Sequence, residues 1–147
     1  MTIFIAADHR GFELKNKLLE YFQNKNIRIE DLGNYEYQPE DDYPDFAKRV
    51  AKAVLQNPQN HLGILICGSG AGVTIAANRF ASIRAGLAMN PNQAHHIREN
   101  DHVNVLTLAA DYTPFDAATE IIDAFLKAAP KAEGKYLRRI EKIEQIN

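Results

Sequence analysis

Two hydrophobic periods alternate along the chain. Residues 2–7 (TIFIAA) form a short, almost unbroken apolar run, after which Phe12, Leu14, Leu18, Leu19 and Phe22 recur at helical spacing. Residues 27–33 (IRIEDLG) read as a second strand leaving through Gly33, followed by the polar stretch NYEYQPEDD. Tyr43-Pro44 opens a helix in which Phe46, Val50 and Val54 recur every fourth residue. Residues 61–67 (HLGILIC) are again nearly all apolar, the pattern of a strand covered on both faces in the middle of a parallel sheet. A glycine-rich turn leads into a predicted helix over 73–80 (VTIAANRF), a fourth strand over 82–89 (SIRAGLAM) and a short helix over 91–100 with Pro91 at its start. Residues 103–110 (VNVLTLAA) give the fifth strand, and Phe115, Ala118, Ile122 and Phe125 stripe the helix after it. Beyond Pro130, residues 133–147 carry a narrow stripe of Leu137, Ile140 and Ile143, which suits docking on the same domain or crossing to a second subunit.

Strand and helix in repeated alternation predict a doubly wound α/β domain spanning residues 1–147, with no internal repeat or linker. In such folds ligands bind outside the carboxyl ends of the strands, where the strand order reverses. Three loops fall there: ADHRG (7–11), CGSGAG (67–72) and MNPNQ (89–93).

Composition narrows the function classes. A net charge of −2 with no basic stripe gives no electrostatic footprint for nucleic acid, and no polybasic or long apolar segment points to a membrane. One cysteine makes no internal disulfide, and nothing has the spacing of a cysteine-rich metal site. The expectation is a cytoplasmic protein without an export signal, and no cofactor is expected.

Candidate chemistry concentrates at CGSGAG. Gly68, Gly70 and Gly72 at alternate positions allow a tight turn and bring backbone N–H groups close to a ligand, at a helix start that favours anions. The spacing is neither that of a dinucleotide fingerprint nor that of a P-loop, which requires a following Lys-Ser/Thr. The same glycines also serve purely structural turns. Cys67 has two readings: a buried filler, the usual fate of a free cysteine, or a partly ionised thiol acting as nucleophile or base. Asp8 either caps the helix near Gly11 or contacts ligand hydroxyls, while His9 beside it suits an anion. HHIRENDH (95–102) reads as a solvated helix end; adjacent His95 and His96 cannot share one helical face and make a poor metal pair. KYLRR (135–139) is a surface helix or a phosphate clamp reaching a neighbouring site.

The segments IAADHRGFELK, DDYPDFAKRVA, GILICGSGAGVTIAANRF, IRAGLA and NVLTLAA, in this order across nearly the whole chain, resemble the ribose-5-phosphate isomerase B family and its galactose-6-phosphate isomerase relatives. The resemblance implies a five-stranded parallel sheet in a Rossmann-like αβα sandwich. It also implies a homodimer or homotetramer with the active site at the interface, so that the C-terminal helix reaches a partner subunit. The implied activity interconverts an aldose phosphate and its ketose phosphate through an enediolate, without a metal. Cys67 matches the cysteine that removes the C2 proton, and Ser69 the hydroxyl residue that helps hold the enediolate. The glutamate of another subgroup falls at Val73, so the cysteine route is the one implied. Gly68 belongs to the same turn, and the N–H groups of Gly70, Ala71 and Gly72 are expected to stabilise the oxyanion. Asp8 is expected at the sugar hydroxyls and His9 near the phosphate.

Departures from the family pattern cluster elsewhere. The His-Asn pair before the fifth strand becomes Asn100-Asp101, with His102 the candidate for ring opening and Asn100 retained as a substrate contact. The arginine closing the fifth strand becomes Asp111, and the tail's Arg-His becomes Lys135-Tyr136, while Arg139 remains. An acid at 111 is expected to repel a phosphate by like charge, with Arg138 or Lys131 available to compensate. The function expected is ribose 5-phosphate–ribulose 5-phosphate isomerisation. The alternatives are isomerisation of another sugar or sugar phosphate, and a sugar-binding homologue with weak turnover.

Overall fold

The computed structural model describes residues 1–146. Asn147, which closes the predicted terminal segment, lies outside the described residues. The elements run β1 (Thr2–Ala7), α1 (Phe12–Asn24), β2 (Ile29–Asp31), α2 (Tyr43–Leu55), β3 (His61–Cys67), α3 (Ala71–Ala77), β4 (Ala85–Leu87), α4 (Pro91–Asp101), β5 (Val105–Ala109), α5 (Phe115–Lys127) and α6 (Gly134–Glu144). All pairings are parallel, in the order β2-β1-β3-β5-β4.

The amphipathic spacing seen in the sequence decides the layers. Leu14, Leu18 and Phe22 of α1 and Ala118, Ile121, Ile122 and Phe125 of α5 pack with Ala94 of α4 on Ile5, Ile64, Ile66 and Leu108. Phe46, Val50 and Val54 of α2 and Val73 of α3 pack on the opposite face, on Phe4, Ala6, Leu65 and Cys67. Successive residues of β3 thus serve opposite layers, as the two-residue repeat of a strand requires. No helix among the described residues is long and apolar enough to cross a membrane.

β2 and β4 are shorter than the apolar runs 27–33 and 82–89 that announce them. Both are sheet edges, bonded on one side only. Their flanking residues Ile27, Leu32, Ile83 and Ala88 still pack on the two cores; Ile27 and Ile83 donate their N–H groups back to Phe22 and Phe80, while Leu32 and Ala88 each add a single bond, to Ile5 and Thr107. Burial therefore made the apolar run longer than the strand. At β4 a side chain takes over the missing partner: Asn78, just past α3, accepts from the Ala85 N–H at 2.8 Å and donates to its carbonyl at 3.0 Å. α3 itself begins two residues earlier than its pattern, at Ala71 instead of Val73, because Gly70 turns the chain at φ 73°.

The narrow stripe of α6 stays largely open, with Leu137 and Ile143 exposed. Its end is tied to its own chain by Glu144, which pairs with Arg84 and accepts from the Ser82 hydroxyl.

α1 starts hard against β3. A Cβ built on Gly11 lies 2.8 Å from the Ile66 carbonyl oxygen and 2.9 Å from the Ile66 Cβ. Gly11→Ala is expected to lower stability by about 2 kcal/mol through overpacking, read as a lower urea midpoint at unchanged slope.

Candidate active site

The order β2-β1-β3 with β5 and β4 beyond sends the loops after β1 and β3 to opposite faces of the sheet, opening a crevice at their carboxyl ends. ADHRG and CGSGAG both border it. Cys67 closes β3 with 4% of its surface exposed and its side chain toward the α2–α3 layer. The Gly70 N–H donates to its Sγ at 3.2 Å. Ser69 Oγ accepts from the Ala71 N–H at 3.3 Å, and Thr74 Oγ1 donates to the Gly70 carbonyl at 2.7 Å while meeting Thr107 Oγ1 at 2.6 Å. These contacts tie the turn to both α3 and β5. Gly70 has two reasons to be glycine: its positive φ, and the 2.6 Å that would separate its Cβ from Leu87 Cδ1.

Asp8 closes the turn ahead of α1, whose own N-terminus has no side-chain cap. One oxygen accepts from the Arg10 and Gly11 N–H groups at 3.0 and 3.1 Å, capping the turn into α1. Oδ2 makes no protein hydrogen bond among the described residues, leaving it for a ligand hydroxyl. Burial pushes this carboxyl up from its ordinary range, against the opposing effect of those N–H donors and of His9.

His9 is held by a residue 32 positions away: Asp41 Oδ1 accepts from the His9 backbone N–H at 2.9 Å and lies 2.8 Å from its Nδ1. Asp41 Oδ2 accepts from Asn34 Nδ2 at 2.9 Å, and the Asp41 side chain is only 9% exposed. The ring is thereby oriented through Nδ1, with Nε2 left for a ligand. Lys15, wholly buried, supports the same wall by binding Asp31 at 2.6 Å, and Asp31 in turn accepts from the Gly33 N–H.

Asp111 is not the isolated acid expected from the sequence. Its carboxylate is forked by Arg10, with Nε at 3.1 and 3.0 Å from the two oxygens and Nη2 at 2.7 Å from Oδ2. The Asp111 N–H donates to the Gly68 carbonyl and the Ala110 N–H to that of Cys67, so the end of β5 is bolted to the cysteine turn. Asp111 keeps the Arg10 guanidinium charged beyond its already high affinity for a proton. Sequence reading passed over both Arg10 and Asp41. Arg10 stands inside the quoted ADHRG loop, whereas Asp41 had no local signal.

The remaining predicted residues lie at the other end of the sheet. Asn100, near the end of α4, meets His96 Nε2 through its Nδ2 at 2.7 Å and accepts from Lys131 Nζ at 3.1 Å. His102 caps α4 at φ 51°, its Nε2 3.0 Å from the Lys131 carbonyl. Lys131 also pairs with Glu99 at 2.8 Å; that contact lowers the carboxyl's affinity for protons and raises the amine's. On α6 the Lys135 and Arg139 cations lie 4.9 and 6.0 Å from the Tyr136 ring centre, and Lys131 lies 5.4 Å from it. Cys67 pairs with Ala109 and Gly63 with Val105, so β5 carries the chain four steps of about 3.3 Å from one group toward the other. The register thus sets Asn100 and His102, which precede β5, away from Cys67, and Lys135 and Arg139 lie around Tyr136 beside Lys131, at the end that holds Asn100.

A parallel doubly wound sheet with a cysteine, a glycine cradle and an Asp-His pair at its switch point defines an α/β protein that binds a small polar ligand at the carboxyl edge. The sequence model described as Ribose/Galactose Isomerase matches residues 3–143, and the chain belongs to that family. It is 42% identical over 142 residues to a probable ribose-5-phosphate isomerase B of Mycoplasma genitalium, covering 97% of this chain and 93% of the relative. It is 35% identical to ribose-5-phosphate isomerase B of Escherichia coli, covering 98% and 95%. A crystal structure of a ribose 5-phosphate isomerase from Thermotoga maritima superposes with a TM-score of 0.93 at 41% identity, covering 99% of this chain and 98% of that one. The Mycoplasma genitalium enzyme with bound ribulose-5-phosphate also superposes with a TM-score of 0.93, covering 98% and 94%.

Proposed function

We propose that the protein is an aldose–ketose isomerase that interconverts D-ribose 5-phosphate and D-ribulose 5-phosphate. The observation that carries the reading is the turn from Cys67 to Gly72, where a thiol closes a buried strand directly before a run of N–H donors opening a helix. Cys67 takes the proton from C2 of the open-chain aldose and returns it to C1, while a proton passes from the C2 hydroxyl to the C1 oxygen, so that the carbonyl moves from C1 to C2. Charge builds on the sugar oxygens as the enediolate forms; the Gly72 N–H receives it together with the Ser69 hydroxyl and the Ala71 N–H, which exchange their contact at 3.3 Å with each other for the sugar oxygen. The Gly70 N–H, which in the free protein faces Sγ, joins them when the sulfur gives up its place. Asp8 Oδ2 accepts sugar hydroxyls, and His9, oriented by Asp41, faces the phosphate. Substrate-sized relatives support the choice of sugar: a family member of 41% identity holds ribulose-5-phosphate.

The whole chain acts as one isomerase domain in the cytoplasm, as a homodimer or a homotetramer built from such dimers. His102, Asn100, Lys135 and Arg139 of one subunit complete the site around Cys67 of another. Two features support this assembly: those four residues lie away from the cysteine of their own chain, and the α6 stripe is exposed.

The test is a coupled assay of the purified protein with ribose 5-phosphate, set beside free ribose and six-carbon aldose phosphates. Turnover of ribose 5-phosphate with the highest kcat/KM of the panel is the expected result. Turnover of another sugar phosphate alone would move the substrate but keep the chemistry. No turnover of any sugar, with measurable binding, would make the protein a sugar-binding homologue.

A further inference from the structure

We infer that Arg10 is the cation this chain itself places against the phosphate of its substrate, and that Asp111 is the residue that positions it. The inference rests on the isomerase reading above and names a residue within it.

Arg10 leaves the ADHRG loop and lies across the cysteine turn. A Cβ on Gly68 would stand 2.6 Å from its Nε and 2.7 Å from its Cδ. Gly68 is bonded to Cys67, so the guanidinium sits within one sugar length of the thiol. Its contact with Asp111 uses the Nε–H and one Nη2–H, and three of its five donors remain. The side chain is 57% exposed, so the guanidinium is open to a ligand. A forked carboxylate fixes a guanidinium in plane and direction, which lowers the rotamer freedom lost when it binds a second anion. Arg10 also lines a small groove between α1 and the loop after β5, together with Thr113 and the Lys17–Glu13 pair, whose charges offset each other and leave Arg10 as its net cation. The Thr113 hydroxyl is buried and has no hydrogen-bond partner among the described residues, the mark of a polar group missing from this wall.

The chain thus carries its phosphate-facing cation on the β1 loop, with the acid on the β5 loop as its holder. An acid at 111 does not repel the phosphate as a bare charge, because its two oxygens are already spent on Arg10.

Three variants test the inference with intact protein. Arg10→Ala is expected to raise KM for ribose 5-phosphate roughly tenfold and weaken competitive inhibition by inorganic phosphate by a similar factor, with kcat falling far less. Arg10→Lys should recover only part of the loss, since an ammonium cannot hold the carboxylate and the phosphate in one plane. The exchanged pair Arg10→Asp with Asp111→Arg should regain most of the phosphate affinity that Arg10→Ala loses. If the pair only tethers two loops, Arg10→Ala will lower the melting temperature and leave KM and phosphate inhibition at wild-type values, which overturns the inference. Wild-type protein inactive on every sugar phosphate would overturn the isomerase reading instead.

Discussion

Cys67→Ala is expected to reduce kcat for ribose 5-phosphate by roughly 10³–10⁴-fold, the range over which a positioned general base acts. The substitution removes one sulfur from a wall made by Leu65, Val73 and Val105. It leaves the backbone turn in place, because Gly70 and the contacts of Thr74 hold that independently. The accompanying loss of stability should be about 1 kcal/mol, the small end of the cavity range, and ribulose 5-phosphate should still bind. Cys67→Ser should be nearly as inactive, since a serine hydroxyl supplies almost no anion at neutral pH, whereas it is the thiolate form of a cysteine that acts as base. The decisive readout is exchange of the C2 hydrogen with deuterated solvent. It should vanish in both variants in parallel with turnover. Exchange or turnover at wild-type rates in Cys67→Ala would assign the cysteine to packing and send the search for the base elsewhere along the turn.

A mixed dimer should revive two inactive variants. Cys67→Ala lacks the base, and a chain carrying Lys135→Ala with Arg139→Ala lacks the cations at the far end of the sheet. Each is expected to be nearly inactive alone. Co-expressed with different tags and purified as the hybrid, they place one intact cysteine opposite one intact pair of cations in one of the two sites. The hybrid should therefore show about half the turnover of the wild-type dimer. The prediction follows from where α6 sits: its end pairs with Arg84 ahead of β4, and its Tyr136 lies beside Lys131, which binds Glu99 and Asn100 ahead of β5, whereas Cys67 closes β3 at the opposite end of the sheet. A hybrid as inactive as its parents, or Lys135→Ala with Arg139→Ala at wild-type activity, would place the whole site within one subunit or remove α6 from it.

The two ends of the site were unequally legible in the sequence. CGSGAG could be read because the requirements of a tight strand-to-helix turn are local, and Gly70 does take the positive φ that such a turn calls for. Asp8 was legible for the same reason, and its capping bonds to Arg10 and Gly11 fall within three residues. Asp111 was misread as a bare charge. Its partner lies 101 residues away, and nothing around ADHRG says which loop will come to rest against it. Asp41 was missed on similar grounds, since it lies in a polar stretch with no periodicity and meets His9 only through the folded crevice. The edge strands β2 and β4 were placed correctly but drawn too long, because apolar residues beside them pack on the cores where regular pairing has already stopped or not yet begun.

From the sequence alone, the alternation of periods determined five strands, the helices between them and the glycine turn after Cys67, because each depends on neighbours within about one turn or one strand. Only the tertiary structure decided that β1 and β3 stand side by side with β5 beyond, which brings the β1 and β5 loops together over Gly68. That contact turned an apparently repulsive Asp111 into the holder of Arg10, and it left Asn100 and His102 at the opposite edge. Pairings of this kind are set by which strands become neighbours, and strand neighbours are chosen by the burial of both sheet faces at once, which no local stretch of sequence records.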